Sequence, residues 1–451
     1  MSTTNRTVIM YAHECTPYHS AGATVGAQRP AQLAKWLPKF GWNLIVLCCD
    51  IKSRNTLDPR GDWEKEIENQ VLDVLSKWNK KSSLIINLPS LMYDGFWDKV
   101  WQSLVVNQPN GTVRPVPGKI NVLKRKIASL MKLLFGDYSQ PFQPVGTLAA
   151  KTIAKNHQIE VQIGEYGPDA GVFIAKQINK ELRIPWLADF RDPWIQVFNQ
   201  KLRPLARLIC RKHIKTASHI VNVTPYWAEM DAVDYHKSST CITNGFDPEE
   251  YKDLNRANFD GTLSMWFGGS LRAEHRIELL LKAIKLLYQD SDVDTDILFR
   301  YRGANWEELR NTAQTFDVHQ YCDVQDYVAR DEALELMGQS NILISPTLVK
   351  TEDVYWKNGV YPGKIFEYMG LGKYVVNIPG DNGQLDELIE RTKIGHTFSS
   401  EIELKDFLKH ATQNPDTLKL NNKQEIQQYT RESVARDMAT ILDNIVEQQS
   451  S

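Results

Sequence analysis

Short apolar segments rich in β-branched residues recur along the chain, and the longer segments between them repeat their apolar residues at helical spacing. Residues 7–12 and 43–49 lack the polar alternation of a half-exposed strand, so they predict strands that are covered on both faces. Residues 27–40 and 277–289 carry apolar residues at helical spacing and predict helices. A repeated order of strand, helix and strand is typical of a doubly wound parallel α/β sheet.

Two such series follow one another, separated by a polar, turn-rich stretch at 246–261 that we interpret as a linker. We therefore predict one α/β domain over residues 1–245, with an insertion at about 52–136, and a second over 262–425. The predicted strands are 7–12, 43–49, 83–88, 160–164, 185–190, 219–224, 240–243, 263–268, 296–301, 322–328, 341–345 and 374–378. Ligands bind beyond the carboxyl ends of such strands, so two sheets facing each other across a cleft would place a site in that cleft.

Composition excludes some classes of function. The 451 residues include 53 Lys and Arg against 55 Asp and Glu, a formal net charge of −2, so no global field attracts nucleic acid. The six cysteines are scattered without a CxxC pair, which argues against a zinc site or a disulfide framework. No run approaches the ~18 apolar residues of a membrane span, and the first residues do not have the pattern of a signal peptide. We therefore expect a cytoplasmic globular protein.

Residues 119–135 combine positive charge with apolar residues at helical spacing. The segment contains no acid and five basic residues: Lys119, Lys124, Arg125, Lys126 and Lys132. A basic amphipathic helix can lie on the anionic inner face of a membrane as a peripheral contact. The alternative is a surface helix docked on its own domain with solvated lysines, and the pattern leaves both open.

Residues 361–373 carry the most informative chemistry. Gly363 ends an extended stretch, and the helix predicted after it places Lys364 and Glu367 three residues apart on one face. A carboxylate can accept hydrogen bonds from both hydroxyls of a ribose, whereas a lysine and the amides of a helix start attract phosphate oxygens. The pair fits a nucleoside diphosphate, and a solvated ion pair is the competing interpretation.

A glycine-rich turn follows the first predicted strand of the second domain. Gly268 and Gly269 would let backbone amides approach an anion, and Ser270 adds a hydroxyl donor. Arg272 and Arg276 flank the turn as cations that would neutralise a diphosphate. Any tight turn uses such glycines, so the motif gains its value from its position at the first strand of a domain.

In the first domain, charged residues and glycines lie where strands are predicted to end. The loop after the first strand contains Gly22 and leads into a helix that carries Arg29, and a later strand ends in Arg191 and Asp192. Such positions are where sites form in this architecture. A plain glycine-bearing connection and a turn closed by an Asp189–Arg191 pair are the alternatives.

Six motifs, taken in chain order, resemble glycosyltransferase family 4, a large group with the GT-B fold. They are PYHSAGATVGAQR, IPWLADFRDPW, ASHIVNVTP, CITNGFDPEEY, FGGSL and PGKIFEYMGLGKYVV, spanning about residues 11 to 396. The resemblance implies two Rossmann-like domains, a nucleotide sugar bound mainly by the second, and a glycan or lipid-linked acceptor bound mainly by the first. It also implies retention, no metal or other cofactor, and a helix within 426–451 that crosses back to the first domain.

The resemblance assigns roles to single positions. It implies that Glu367 holds the donor ribose, that Gly268, Gly269 and Ser270 face the diphosphate, and that Gly22 faces the sugar phosphate. His275 aligns with the phosphate lysine of the family, so Arg272, Arg276 and Lys364 would have to supply that charge. The residue near the transferred sugar stays open among Asp169, His13 and His19. Gly359 stands where many relatives carry a first glutamate.

Transfer of a sugar would place negative charge on the departing diphosphate, so fixed cations and amides should supply most of the stabilisation. With retention the departing phosphate can take the acceptor proton, whereas inversion would need a base such as Asp192, Asp169 or His19. Two alternatives stay open: a sugar-nucleotide epimerase of the same fold, and a non-catalytic GT-B scaffold that binds a partner or glycan. The leading hypothesis is a transferase of polysaccharide biosynthesis.

Overall fold

The structure is a computed structural model of the chain. It describes residues 5–17, 24–51, 56–79, 82–92, 105–107, 113–115, 129–198, 200–254, 259–271, 275–290, 296–347, 360–380 and 382–450. The chain forms two compact units, of which unit 1 comprises residues 1–243 and 431–451 and unit 2 comprises residues 244–430. Each unit contains one large parallel sheet.

The sheet of unit 1 has seven strands. They are β1 (Arg6–Tyr11), β2 (Trp42–Cys49), β4 (Leu84–Leu88), β8 (Val161–Tyr166), β9 (Trp186–Phe190), β10 (His219–Asn222) and β11 (Ser239–Cys241), and their order is β11-β10-β9-β8-β1-β2-β4. Two smaller pairs lie outside this sheet: β3 (Thr56–Leu57) with β5 (Ser90–Leu91), and β6 (Val105–Asn107) with β7 (Val113–Pro115). The seven main strands coincide with the predicted ones to within about two residues at each end.

The helices of unit 1 follow its strands. They are α1 (Thr24–Trp36), α2 (Trp63–Lys77), α3 (Phe142–Asn156), α4 (Ala170–Leu182), α5 (Arg203–Ile214), α6 (Pro225–Tyr235) and, after unit 2, α14 (Arg431–Ser450), with a 3-10 turn at Leu37–Phe40. The start of α6 shows the local sequence features that begin a helix. Thr224 Oγ1 accepts a hydrogen bond from Trp227 N at 3.3 Å, and Pro225 occupies the first helical position, where no N–H is needed.

The side chains of β1 explain the uninterrupted apolar pattern. Ile9 and Tyr11 belong to one buried cluster with residues of α2, α3 and α4, whereas Val8 and Met10 belong to another with residues of α1 and α14. Successive strand residues point to opposite faces, so both faces of this sheet are covered. The prediction of a doubly wound sheet is confirmed.

The last helix, α14, completes the core of unit 1. Its residues Met438 and Leu442 are buried in the same cluster as Met10. The carboxylate of Asp443 accepts a hydrogen bond from Trp42 Nε1 at 2.9 Å and pairs with Arg6. The C-terminal residues therefore pack on the strands with which the chain begins.

The sheet of unit 2 has six parallel strands. They are β12 (Thr262–Gly268), β13 (Asp296–Arg302), β14 (Cys322–Gln325), β15 (Ile342–Pro346), β16 (Tyr374–Ile378) and β17 (Gly395–Thr397), in the order β14-β13-β12-β15-β16-β17. The short edge strand β17 was not among the predicted strands, since its three residues lack an apolar run.

Seven α-helices accompany these strands in the described part of unit 2: α7 (Glu278–Tyr288), α8 (Trp306–Thr315), α9 (Arg330–Gly338), α10 (Gly363–Leu371), α11 (Gln384–Thr392), α12 (Glu401–Gln413) and α13 (Lys423–Ile426). The same part contains the 3-10 turns Pro248–Tyr251, His319–Tyr321, Pro415–Leu418 and Gln427–Tyr429. Ser400 begins α12 by accepting hydrogen bonds from the amides of Ile402 and Glu403. Gly372, with φ of +63°, ends α10, and its amide reaches the carbonyls of Tyr368 and Met369.

The stretch interpreted as a linker, 246–261, is in part a packed portion of unit 2. Phe246 and Tyr251 are buried in one cluster with Phe366 of α10, and the amide of Phe246 donates to the carbonyl of Tyr429 at 3.0 Å. The chain therefore passes from unit 1 to unit 2 between residues 243 and 244. Two aromatic side chains in an otherwise polar segment anchor it, which average composition does not reveal.

The predicted insertion at 52–136 contains α2, which packs on unit 1 through Ile67 and Val71. In the segment 119–135, residues 129–135 are helical, and 119–128 lie outside the described residues. The amphipathic face predicted there stays a prediction. Among the helices that the structure describes, none combines the length and apolar character needed to cross a bilayer.

We predict that Gly171→Ala destabilises unit 1. A Cβ at this position would overlap the Tyr11 carbonyl and lie 3.0 Å from the amide nitrogen of Glu165, because α4 packs directly on the backbone of β1 and β8. Overpacking of this kind costs about 1–3 kcal/mol of unfolding free energy, measured by chemical denaturation.

The matched control is Gly61→Ala, where the nearest atom to an added Cβ is 3.4 Å away. We expect this control to change the unfolding free energy by less than ~0.5 kcal/mol. Equal stability of the Gly171→Ala protein and the wild type would contradict the packing described for α4.

Candidate functional site

The order of the strands in unit 2 marks one position at the carboxyl edge of its sheet. The chain winds from β12 to β13 and β14 on one side and resumes at β15 to β16 and β17 on the other, so the direction reverses between β12 and β15. Ligands of open α/β sheets bind beyond the strand ends at such a switch point. Gly268 ends β12 at this position, and the N-terminus of α10 follows β15.

Lys364 and Gly269 approach each other closely here. Gly269 has φ of +127°, and a Cβ on it would lie 2.7 Å from Nζ of Lys364. The backbone conformation therefore favours glycine, and a Cβ would also have to displace the flexible end of the Lys364 side chain. The ammonium also lies 5.9 Å from the centre of the Phe267 ring. Burial lowers the pKa of Lys364 and the carboxylate of Glu367 opposes this effect, so the site holds a partly desolvated cation.

The glycine turn is held by hydrogen bonds on its inner side. The amide of Gly269 donates to the Arg302 carbonyl at 2.8 Å, and the Gly269 carbonyl accepts from Tyr301 Oη at 2.6 Å. Asn305 Nδ2 donates to the Leu271 carbonyl at 2.7 Å. The expectation that the amides after Gly268 bind a diphosphate therefore needs a correction: the Gly269 amide is already engaged by Arg302.

Glu367, one turn after Lys364, forms an ion pair that the sequence did not indicate. Its Oε1 lies 2.7 Å from Arg330 Nη1, and Arg330 Nη2 lies 3.5 Å from Glu250 Oε2. Arg330 is the first residue of α9, beyond the carboxyl end of β14. A charged residue at such a strand–helix junction is the sequence feature that could have marked it as a site residue. The ion pair fixes the orientation of the Glu367 carboxylate and leaves 14% of that side chain exposed.

The hydroxyl groups of Ser270 and Tyr327 are 2.8 Å apart, and both residues are exposed. Tyr327 lies between β14 and α9 and was not predicted as a site residue. An exposed aromatic ring beside the switch point offers an apolar face of the kind on which a nucleobase can stack.

Two further predicted donor-side residues, Arg276 and Gly363, lie at the starts of α7 and α10. Arg276 is exposed and has φ of +46° just before α7, and His275 is buried. Gly363 is the first residue of α10, so it stands where free amides and the helix dipole attract an anion. Arg272 lies outside the described residues.

The sheet of unit 1 has its own switch point, between β1 and β8. His13 follows β1, and Glu165 is the penultimate residue of β8. His13 is buried, its Nδ1 has no hydrogen-bond partner in the described part of the chain, and its ring contacts those of Tyr138 and Phe142 edge-on. Burial lowers its pKa to about 4, so the imidazole is neutral at physiological pH.

Glu165 is a buried acid that the sequence did not single out. Its two oxygens accept no hydrogen bond from the described residues, and the nearest charge is Arg191 Nε at 3.1 Å from Oε1. Burial raises the pKa of Glu165 to about 8, a rise that Arg191 opposes. At neutral pH this carboxyl group is therefore mainly protonated and can donate a hydrogen bond.

Arg191 connects several backbone elements at this edge. It pairs with Glu165 and donates to the Gly167 carbonyl, and a Cβ on Gly26 in α1 would overlap its guanidinium. Asp192 is exposed beside Gly167. These contacts place Arg191 and Asp192 at the switch point of unit 1, while their role towards a sugar stays a prediction.

Arg29 forms the centre of a buried ion pair. Its Nε and Nη2 donate to the two oxygens of Asp189 at 2.9 Å each, and its Nη1 donates to the Thr243 carbonyl at 3.0 Å. Both side chains are fully buried, so Arg29 offers no surface to a sugar in this structure and has a structural role instead. The Asp189–Arg191 pair considered as an alternative is replaced by the pairs Arg29–Asp189 and Arg191–Glu165.

Asp169 closes a turn rather than lining an open surface. Its carboxylate accepts hydrogen bonds from the Asp137 amide at 3.1 Å and from Gln140 Nε2 at 3.1 Å, and its own amide donates to Asp137 Oδ2. Burial and the neighbouring Asp137 raise the pKa of Asp169. His19, Gly22 and Gly359 lie outside the described residues, so their roles stay predictions.

No family model matches the chain, and no curated protein matches its sequence. Among solved structures, sucrose-phosphate synthase from Thermosynechococcus elongatus superposes over 98% of this chain and 100% of its own, with a TM-score of 0.55 and 11% identity. The lipopolysaccharide outer core galactosyltransferase WaaB, in its apo form, covers 98% of this chain and 99% of its own, with a TM-score of 0.50 and 10% identity. HepE from Anabaena, in complex with UDP, covers 99% and 98%, with a TM-score of 0.49 and 13% identity.

At these identities the likeness shows the fold alone. The superpositions on sucrose-phosphate synthase and WaaB extend over both units, each with its own parallel sheet. The chain has the GT-B fold with two Rossmann-like domains, as predicted from its sequence.

We predict that Glu165→Gln makes unit 1 more stable than the wild type at pH 9 and leaves it nearly unchanged at pH 5. The folded wild type holds a proton on Glu165 up to about pH 8, whereas the unfolded chain releases it near its ordinary pKa of about 4.5. The stability of the wild type therefore falls as pH rises between these values. Glutamine keeps the shape of the neutral acid and removes this dependence.

The measurement is the difference in Tm between the two proteins in buffers from pH 5 to 9. Asp73→Asn on the exposed face of α2 is the control, and we expect a small difference that changes little over this range. A Tm difference for Glu165→Gln that stays constant with pH would show that the carboxyl group is ionised throughout.

Proposed function

We propose that the chain is a retaining, metal-independent glycosyltransferase similar to family 4 enzymes. It transfers a sugar from a nucleotide-diphosphate sugar to a glycan or lipid-linked acceptor. The donor binds at the switch point of unit 2, and polysaccharide biosynthesis is the process that this chemistry serves. The proposal rests on the sequence motifs, on the GT-B fold and on the geometry around Lys364.

The observation that supports it most directly is the position of Lys364. A desolvated ammonium lies against a side-chain-free backbone at the end of β12, in the first turn of a helix, and one turn before a carboxylate. A diphosphate would restore favourable interactions to the ammonium and to the amides at the helix start. A ribose would use the acceptor oxygens of Glu367, which Arg330 already orients.

The same groups act on the reaction. The bond from the anomeric carbon to the phosphate oxygen breaks, and its electron pair leaves with the nucleoside diphosphate. Lys364, Arg276 and the N-terminus of α10 stabilise the charge that develops there, with Arg272 in the same role. The acceptor oxygen bonds to the anomeric carbon on the same face, and its proton passes to the departing phosphate. No strong base is required by this step.

Residues of unit 1 are proposed to face the sugar or the acceptor. Glu165, neutral at pH 7, can donate a hydrogen bond to a sugar hydroxyl, and the neutral His13 can accept one. Arg191 positions Glu165 through their contact. Asp192 is exposed beside them.

We predict that Glu367→Gln weakens the binding of UDP or another matching nucleoside diphosphate by roughly 10–100-fold, the effect of losing charge-assisted hydrogen bonds to a ribose. Titration calorimetry measures the affinity. Glu250→Gln is the matched control, because it removes the other carboxylate of Arg330 and should change the affinity less than about threefold. Equal losses in both variants would assign the effect to the ion pair and not to the ribose.

The function itself is tested with a panel of nucleotide sugars. We expect one nucleoside diphosphate to raise the Tm and its sugar conjugate to be consumed when acceptor glycans or polyprenyl-phosphate-linked sugars are added. Arg276→Ala should lower turnover by roughly 10–1000-fold while the Tm of the free protein is kept. An epimer formed without acceptor would identify an epimerase, and no stabilisation by any nucleotide would identify a scaffold.

A further inference from the structure

A long stretch of unit 1 has an unbalanced charge. From residue 193 to residue 228 the sequence contains no Asp or Glu, although acids and bases nearly balance over the whole chain. The same stretch contains six Lys and Arg residues: Lys201, Arg203, Arg207, Arg211, Lys212 and Lys215. Four of these cations lie on α5 and the other two flank it, so the charge is concentrated on this helix, which packs beside α6.

The C-terminal ends of these two helices enclose a basic pocket. The pocket has a volume of about 340 Å³. Five of its lining residues are basic, namely Arg211, Lys212, Lys215, His236 and Lys237, and the sixth is Tyr235. The last turn of α5 supplies the first cations. α6 ends at Tyr235, and the next residue, His236, has φ of +52° and is followed by Lys237, which lines the same pocket.

The positive charge of the pocket is not neutralised by its surroundings. Within the described part of the chain, the ammonium groups of Lys212, Lys215 and Lys237 form no ion pair. Burial lowers the pKa of Lys237. Burial lowers the pKa of His213 to about 4, and the neighbouring cations Lys176 and Lys212 lower it further. A pocket of this kind favours an anion.

Two of the three acids of α6 are buried and engaged elsewhere, whereas the third, Glu229, is exposed but does not line the pocket. Asp234 pairs with Arg207 at 2.7 Å and accepts a hydrogen bond from Gln196 at 3.0 Å. Asp231 accepts a hydrogen bond from Asn222. The pocket itself is therefore lined by cations and by no acid.

Exposed apolar side chains lie on the same two helices. Leu208 on α5 is 66% exposed and Val233 on α6 is 65% exposed, and Leu205 is exposed as well. Along α5 the outer positions run from Leu205 and Leu208 to Lys212, while Ala206 and Cys210 face the core. Leucines beside a basic pocket fit an interface at which apolar chains lie next to anionic headgroups.

We propose that the surface formed by α5, α6 and the basic pocket docks on an anionic phospholipid membrane. Phosphate groups of the lipids occupy the pocket, and Leu205, Leu208 and Val233 enter the boundary of the acyl chains. A nucleic acid would satisfy the charge but would leave the leucines and the valine exposed, so the bilayer is the better fit. The proposal does not depend on the donor site of unit 2.

The test is co-sedimentation of the full chain with vesicles of phosphatidylcholine, either pure or containing roughly 30% phosphatidylglycerol. We expect binding to the anionic vesicles, little binding to the neutral ones, and weaker binding as salt is raised. Lys212→Glu/Lys215→Glu should reduce the partition coefficient by roughly tenfold or more, and Leu208→Ser should reduce it by roughly threefold.

Helix α2 of the same unit supplies matched controls. Lys65 and Lys77 are 77% and 72% exposed, and Leu72 is 42% exposed. Lys65→Glu/Lys77→Glu makes the same change in net charge, and Leu72→Ser makes the same apolar change. Both should bind the anionic vesicles as the wild type does. Circular dichroism and Tm confirm that each variant is folded.

Three results would overturn the proposal. The first is a wild type that does not bind anionic vesicles at low salt. The second is unaltered binding by Lys212→Glu/Lys215→Glu, which would move the contact to another surface such as 119–135. The third is a wild type that binds pyrophosphate or RNA but not vesicles, with this binding lost in Lys212→Glu/Lys215→Glu. That result would identify a site for a soluble anion or a nucleic acid.

Discussion

The contact between the Lys364 ammonium group and the backbone of Gly269 is the constraint on which the candidate donor site depends. A side chain at position 269 would collide with Nζ, and the positive φ of this residue already disfavours one. Tyr301 and Arg302 hold the turn from the neighbouring strand, so the cation lies against a rigid backbone. Rigidity matters because electrostatic stabilisation of a leaving group is most effective when its donors do not have to reorganise.

The buried charged side chains of unit 1 differ in whether a partner neutralises them. Arg29 and Asp189 neutralise each other with two hydrogen bonds, an arrangement whose disruption would leave an uncompensated buried charge. Glu165 is different, because Arg191 lies near it without a hydrogen bond and burial keeps its proton in place. One buried acid of this sheet is therefore structural, whereas the other retains capacity for a ligand.

Sequence reasoning gave the sheets accurately because their strands are covered on both faces and so must be apolar at nearly every position. It placed Lys364, Glu367 and Gly269 on the correct elements because strand ends and helix starts carry recognisable residues. It could not predict the pairing of Arg330 with Glu367, because the two residues are 37 positions apart in the sequence. It also could not predict that Glu165 keeps its proton, because the raised pKa results from burial in the folded protein. The interpretation of Arg29 went wrong for a related reason: an arginine looks the same in sequence whether it meets a ligand or a buried aspartate.

The position of α14 has a consequence for biosynthesis. Unit 2 is a continuous stretch, whereas unit 1 obtains Met438 and Leu442 for its core from α14, which follows unit 2 along the chain. While the ribosome still covers those residues, one face of the first sheet is covered by α1 but lacks α14. Unit 2 can therefore finish folding before unit 1, and the nascent chain must keep an apolar surface from aggregating until residues 431–450 have been translated.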